Sequence, residues 1–137
     1  MSLESVLGIA NSALAAQSER ITLIAQNLAN ANSVEAPGGG PYQRRMPVFQ
    51  TMTIEDAQGE AASGVKLSAV LRDSSPPKTV YDPSNPEADA SGMVQEPNIN
   101  PVYEMVDLMQ ATRSYQANLA MVETARTSAE DTINLLK

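Results

Sequence analysis

Near the start of the chain, apolar and small residues recur at intervals of four and three: Leu3, Leu7, Ala10, Leu14, Gln17, Ile21, Ile24, Leu28 and Ala31. This is the a/d repeat of a coiled-coil seam, and it predicts a helix reaching roughly 43 Å. Ser2 suits the N-cap, with Glu4 and Ser5 in the first turn. Toward the other end, Asn100 suits an N-cap, Pro101 the first helical position, and Glu104 and Asp107 the positive start of a helix. From there Met105, Leu108, Thr112, Tyr115, Leu119, Val122, Arg126, Ala129, Ile133 and Leu136 keep the same spacing, over roughly 54 Å. All nine prolines fall between Pro37 and Pro101. Proline inside a helix costs about 3 kcal/mol, so the two ends can be long helices and the middle cannot.

The middle predicts short strands at 44–54, 65–73, 78–82 and 92–96, separated by turn-forming "PGGGP" and "SSPP". The expected fold is α+β, with the terminal helices paired as an antiparallel coiled coil and a small, loop-rich β domain inserted between them. The segments are 1–33, 34–98 and 99–137. A helix this long persists only if its stripe is covered. Val106, Ala117 and Met121 lie off the C-terminal seam, so they would stay wet in a lone helical hairpin. They predict an inter-subunit face.

Composition narrows the chemistry. The 137 residues include no Cys and no His, which removes disulfides, thiol nucleophiles and the commonest general base and metal ligand. Nine basic against sixteen acidic residues give a net charge of −7, with no basic cluster beyond Arg44-Arg45. That balance argues against nucleic-acid binding through a basic patch. Trp is absent, and Phe49 and four Tyr supply all the aromatic area. No run is apolar enough for a transmembrane segment, and Glu4 and Asn11-Ser12 break the pattern of a secretory signal. Taken alone, these features point to the cytoplasm.

Candidate sites are few. Gly38 to Gly40 lack the spacing of a phosphate-binding loop and are better a linker. Asp82, Glu87 and Asp89 share one loop, where they could bind calcium or act on a cell-wall glycan. Their spacing misses the calcium template, and Asx turns beside Pro explain them better. Arg113 with Tyr115, and Arg126 on the seam, could mark a ligand site; a register-setting charge facing a carboxylate on another helix is the simpler account. The seven Met, among them Met93, Met105, Met109 and Met121, are taken as packing. No cofactor or metal site is expected.

Two blocks carry a family likeness. "NSALAAQSERITLIAQNLANANS" (11–33) is similar to the N-terminal signature of bacterial flagellar axial proteins, the rod, hook and hook-associated subunits. "YDPSNPEADASGMVQEPNIN" (81–100) followed by "EMVDLMQATRSYQANLAMVETARTSAEDTINLL" (104–136) resembles the proximal rod proteins of the FlgC type. The likeness covers nearly everything except parts of 34–64. Asn85 stands where His is expected, and Met93 where an aromatic is usual.

The resemblance implies a structural subunit, not an enzyme, that self-assembles into the helical drive shaft transmitting motor torque and enclosing an export channel. It implies as partners other copies of the chain, rod subunits of the FlgB, FlgF and FlgG types, the FliE-type adaptor, the flagellar type III export apparatus and the rod-capping protein. It also implies a periplasmic rod location reached without a cleavable signal peptide, which displaces the cytoplasmic expectation. In such an assembly Asn27, Asn30 and Asn32 would set register by hydrogen-bonding neighbouring backbones, and Asn30 or Asn32 could stop the helix. The residues themselves leave an alternative, a soluble coiled-coil adaptor forming a finite oligomer, and more weakly a carboxylate enzyme.

Overall fold

The computed structural model of the chain describes residues 3–34, 39–55, 57, 59 and 61–135. Helix α1 (Leu3–Ala29) is followed by strands β1 (Arg45–Glu55), β2 (Ala61–Arg72), β3 (Lys78–Tyr81) and β4 (Met93–Glu96), and then by helix α2 (Pro101–Leu135). The fold is α+β, two long helices flanking a small β region. Ser2 and Leu136 lie outside the described residues.

α2 starts as its sequence dictates: Asn100 accepts the Val102 amide on Oδ1 at 3.0 Å, and Pro101 is the first helical residue. The helices run antiparallel, since Asn27 near the end of α1 meets Glu104 in the first turn of α2 while Arg20 reaches Asp107. α2 has 35 residues against 27 in α1. With Asn27 level with Glu104, α2 runs past the start of α1 by roughly 10 Å, and 130–135 are exposed there.

β1 and β2 form one antiparallel hairpin, with a bulge at Val48/Phe49, and β3 and β4 form a second, shorter one. β2 begins earlier than the sequence pattern predicts. Ala61 to Gly64 are poor strand formers, and they are held by the ladder partners Met52 to Glu55. The long hairpin does not build a core of its own. It lies along α1, from Arg45 at the Asn27 end to Ala57, whose amide bonds Glu4 at the helix start.

α1 therefore has two buried faces. Of the predicted seam, Ala10, Ile24 and Ala31 are buried; Leu7, Leu14, Gln17, Ile21 and Leu28 are half-buried; Leu3 is exposed. The second face is made of small and polar residues. A Cβ on Gly8 would sit 3.0 Å from Ile54 Cγ2. Ser12 Oγ donates to Ile9 O at 2.7 Å and accepts from the Val65 amide at 3.1 Å. Facing it, a Cβ on Gly64 would stand 2.5 Å from Ile54 Cδ1 and 2.8 Å from Ser12 Oγ. Hairpin and helix can approach only because these positions are small.

α2 turns a different stripe inward from the one predicted. Glu104 and Ala111 are buried, and Leu108, Tyr115, Asn118, Val122, Ala125 and Ala129 are half-buried. Leu108, Tyr115, Val122 and Ala129 belong to both stripes. At the alternate positions the inward residue comes one place earlier, so Met105, Leu119 and Arg126 are exposed and Thr112 sits at the flank. Ile133 is exposed because α1 has ended before reaching it. At Ala111, Asn118 and Ala125 the physical reason is size, since they allow close approach to α1 and leave the larger Leu and Arg side chains outside; Glu104 is held inward by its bonds to Asn27 and Arg44.

Gln17 Oε1 is buried and bonds to nothing among the described residues. Replacing it should help: Gln17→Leu is expected to raise stability by about 1 kcal/mol, read as a higher urea midpoint. Gly64→Ala should do the opposite, lowering stability by about 1–3 kcal/mol. Ile54→Val, which removes the nearest clashing carbon, should recover part of that loss in the double variant.

Candidate assembly interface

Asn27 is 1% exposed, and its amide is saturated within the chain. Nδ2 donates to Arg45 O at 2.9 Å and to Glu104 Oε2 at 3.2 Å. Oδ1 accepts from the Arg45 amide at 2.8 Å and from the Tyr42 hydroxyl at 3.2 Å. An amide offers two donors and a two-lone-pair acceptor, so no bond is left for another subunit. This corrects the expectation for Asn27: it sets register inside the chain, pinning the entry to β1 and the start of α2 onto α1. Asn30 differs, its Nδ2 returning to Gln26 O at 2.8 Å to close the last turn. Asn32 is exposed.

Around this amide the charges balance. Glu104, 1% exposed, accepts from Arg44 Nε at 2.5 Å, and Arg44 Nη2 lies 3.5 Å from Asp107. A buried carboxylate persists only when paired and hydrogen-bonded; Arg44 and Asn27 supply both. Burial pushes the Tyr42 phenol above its ordinary value, partly offset by the Arg45 guanidinium beside it. Tyr42 thus keeps the proton it donates to Asn27 throughout the neutral range.

The outward side of α2 is apolar and uncovered. Val102, Val106 and Met109 follow a 4-3 spacing opposite Glu104 and Ala111, with Met105 at their edge. Val106 and Met121 are both more than half exposed, and Ala117 is exposed between them.

A model of the C-terminal region of the flagellar basal body rod proteins FlgE, FlgF and FlgG matches residues 90–135, which include all of α2. The chain is 47% identical over 135 residues to the flagellar basal-body rod protein FlgC of Salmonella typhimurium, covering 98% of each. It is 46% identical over 135 residues to that of an Escherichia coli O6:H1 strain, again covering 98% of each. FlgC of Bacillus subtilis is 38% identical over 133 residues, covering 88% of this chain and 89% of its own. The chain belongs to the FlgC family of flagellar basal-body rod proteins. The part matched by the rod-protein model is the part that carries the uncovered face.

The acidic loop takes a structural role. Asp82 Oδ1 accepts from the Ser84 amide and hydroxyl at 3.2 and 2.6 Å, and Asp89 Oδ1 from the amides of Ser91 and Met93 at 2.7 and 3.0 Å. The Ser84 hydroxyl bond holds the Asp82 carboxyl below its ordinary value. Glu87 is exposed, its amide bonded to Asn85 Oδ1 at 3.0 Å. Among the described residues no acidic cluster is shaped to hold a metal. Arg126 faces no other helix; it pairs with Glu130 one turn on, at 3.0 Å. Arg113 is exposed and Tyr115 half-buried, which brings no ligand site together.

Sequence reasoning missed Tyr42 and Glu104 as partners of Asn27, and Arg44 as the partner of Glu104. Glu104 was legible only as a favourable helix-start charge, because its partners lie 60 and 77 residues away. Asn27→Ala should cost about 1–3 kcal/mol for each buried group it orphans, measured by urea unfolding. Asn30→Ala, at a half-buried helix end, should cost far less.

Proposed function

We propose that the chain is a structural subunit of the flagellar basal-body rod that uses the outward face of α2 to pack against neighbouring subunits. The observation that carries this is the row Val102, Val106 and Met109, continued by Ala117 and Met121, on a helix whose other side is committed to α1. Covering such a row contributes about 25 cal/mol per Å² of apolar surface. Repeated over several neighbours, this offsets the ordering cost of assembly. A shaft that carries torque needs many such contacts on each subunit, and two long helices provide area along the whole length of the molecule.

The finer reading places the subunit in the proximal rod within the periplasm, exported without a cleavable signal peptide and enclosing an export channel. Its neighbours there are copies of itself and rod subunits of the FlgB, FlgF and FlgG types, with the FliE-type adaptor at the base. The type III export apparatus and the rod-capping protein act during assembly. Family membership supports a structural role, and the bonding of Asp82 and Asp89 into turns gives a catalytic reading no footing. No observation favours a finite-oligomer adaptor.

A test separates folding from assembly. Val106→Glu with Met109→Glu alters only exposed positions, so the purified variant should melt as the parent does. Cells depending on it should lose motility, and basal bodies purified from them should lack the rod. Normal swimming by that variant would remove this face from the assembly.

A further inference from the structure

The chain has no Cys and no Trp, so the thioether of methionine is its most readily oxidised side chain. Its seven methionines divide by exposure. Met46, Met52 and Met93 are half-buried in the β region, and Met1 lies outside the described residues. Met105, Met109 and Met121 are 51%, 56% and 56% exposed, and all three stand on the surface of α2 that α1 leaves uncovered. Met109 belongs to the apolar row with Val102 and Val106. Met105 is one turn before it at the edge, and Met121 is one turn beyond Ala117. The same side chains are therefore open to solvent in the free subunit and withdrawn from it once the face is packed.

A peroxide is the class of reagent that separates these two states. The methionine sulfur attacks one oxygen of hydrogen peroxide and the O–O bond breaks. That oxygen stays on sulfur as a sulfoxide, its proton passes to the departing oxygen, and water leaves. Sulfur loses two electrons and the peroxide gains them. An apolar side chain thereby becomes polar, with a strong hydrogen-bond acceptor at its end. Val102, Val106 and Ala117 bring no side-chain donor to meet it. Packing the oxidised face would bury that oxygen unbonded, which opposes the contact that the thioether favours. Because the three methionines lie outside the subunit's own core, the fold is spared and only the contact is affected.

We infer that Met105, Met109 and Met121 form an oxidation site that controls whether the α2 face can pack. Peroxide converts them to sulfoxides in the unassembled subunit, and the oxidised subunit is kept out of the rod. A thiol-dependent sulfoxide reductase restores it, taking the oxygen off as water while two thiols become a disulfide. This rests on the proposed packing role of the outward face of α2. Within the rod the three are shielded, so an assembled subunit keeps its contacts under the same oxidant.

Limited hydrogen peroxide on the purified full-length chain, followed by peptide mass spectrometry, should oxidise Met105, Met109 and Met121 several-fold faster than Met46, Met52 and Met93. The urea midpoint should not move. Equal rates in the two groups, or a lowered midpoint, would mean general damage to the fold and overturn the inference. Intact basal bodies treated the same way and then dissociated should show the three protected several-fold relative to the free chain. In cells given sublethal peroxide while rods are being built, the parent should form fewer rods. Met105→Leu with Met109→Leu and Met121→Leu keeps size and apolar character and should recover them. Met46→Leu with Met52→Leu and Met93→Leu should not. If the first triple variant fares no better than the parent while the three methionines are protected in basal bodies, the oxidation site is wrong and the packing face stands. If they oxidise in intact basal bodies as fast as in the free chain, the face is uncovered there and both readings fall.

Discussion

The Asn27 amide has two donor hydrogens and an oxygen that accepts twice, and all four bonds are made at the point where three stretches of chain converge. Those stretches are the end of α1, the Tyr42–Arg45 segment entering β1, and the first turn of α2. Each is polar backbone or a polar side chain withdrawn from water, and each would be costly to leave unpaired. Sliding either neighbour along α1 would break several bonds together. Register in the hairpin and register in the helix pair are therefore fixed by one side chain. The charge of Glu104, balanced by Arg44, makes the arrangement tolerable without water.

Downstream of that point, α1 is consumed by the chain itself. One face meets α2, and the other, smoothed by Gly8 and Ser12, carries the β1–β2 hairpin. α2 is different in kind. It is longer, it packs on one helix, and its inward stripe, where Leu108, Tyr115 and Val122 alternate with Glu104, Ala111, Asn118 and Ala125, leaves Met105, Met109 and Met121 outside. The division of labour follows from packing: the N-terminal helix organises the subunit, and the C-terminal helix keeps an apolar face uncovered.

How far the sequence could be read depended on the range of the interaction. Local chemistry was legible: the Asn100 cap, Pro101 at the first helical position, the Asx turns at Asp82 and Asp89, and the exclusion of proline from both helices. The α2 stripe was half legible. Carrying the 3-4 spacing on from Met105 selects Met105, Thr112 and Leu119, whereas the packed helix turns Glu104, Ala111 and Asn118 inward, one place earlier. What stands opposite decides: Asn27 and Arg44 bond Glu104, and the small Ala111 lets α1 come close. The three asparagines near the end of α1 look alike in sequence, yet Asn27 is buried and saturated, Asn30 closes a helical turn and Asn32 faces solvent.

The amino-acid sequence by itself determined where helix and strand could exist, the antiparallel pairing of two long seams, the absence of thiol and imidazole chemistry, and the family. These rest on periodicity, proline placement, residue type and local capping, all encoded within a few turns of chain. Tertiary structure alone decided which residues of α2 meet α1, that the β1–β2 hairpin shares its core with α1, and that Asn27, Tyr42, Arg44 and Glu104 form one bonded group. Those outcomes depend on contacts between residues far apart in the chain, where size, burial and bonding capacity are set by what arrives opposite.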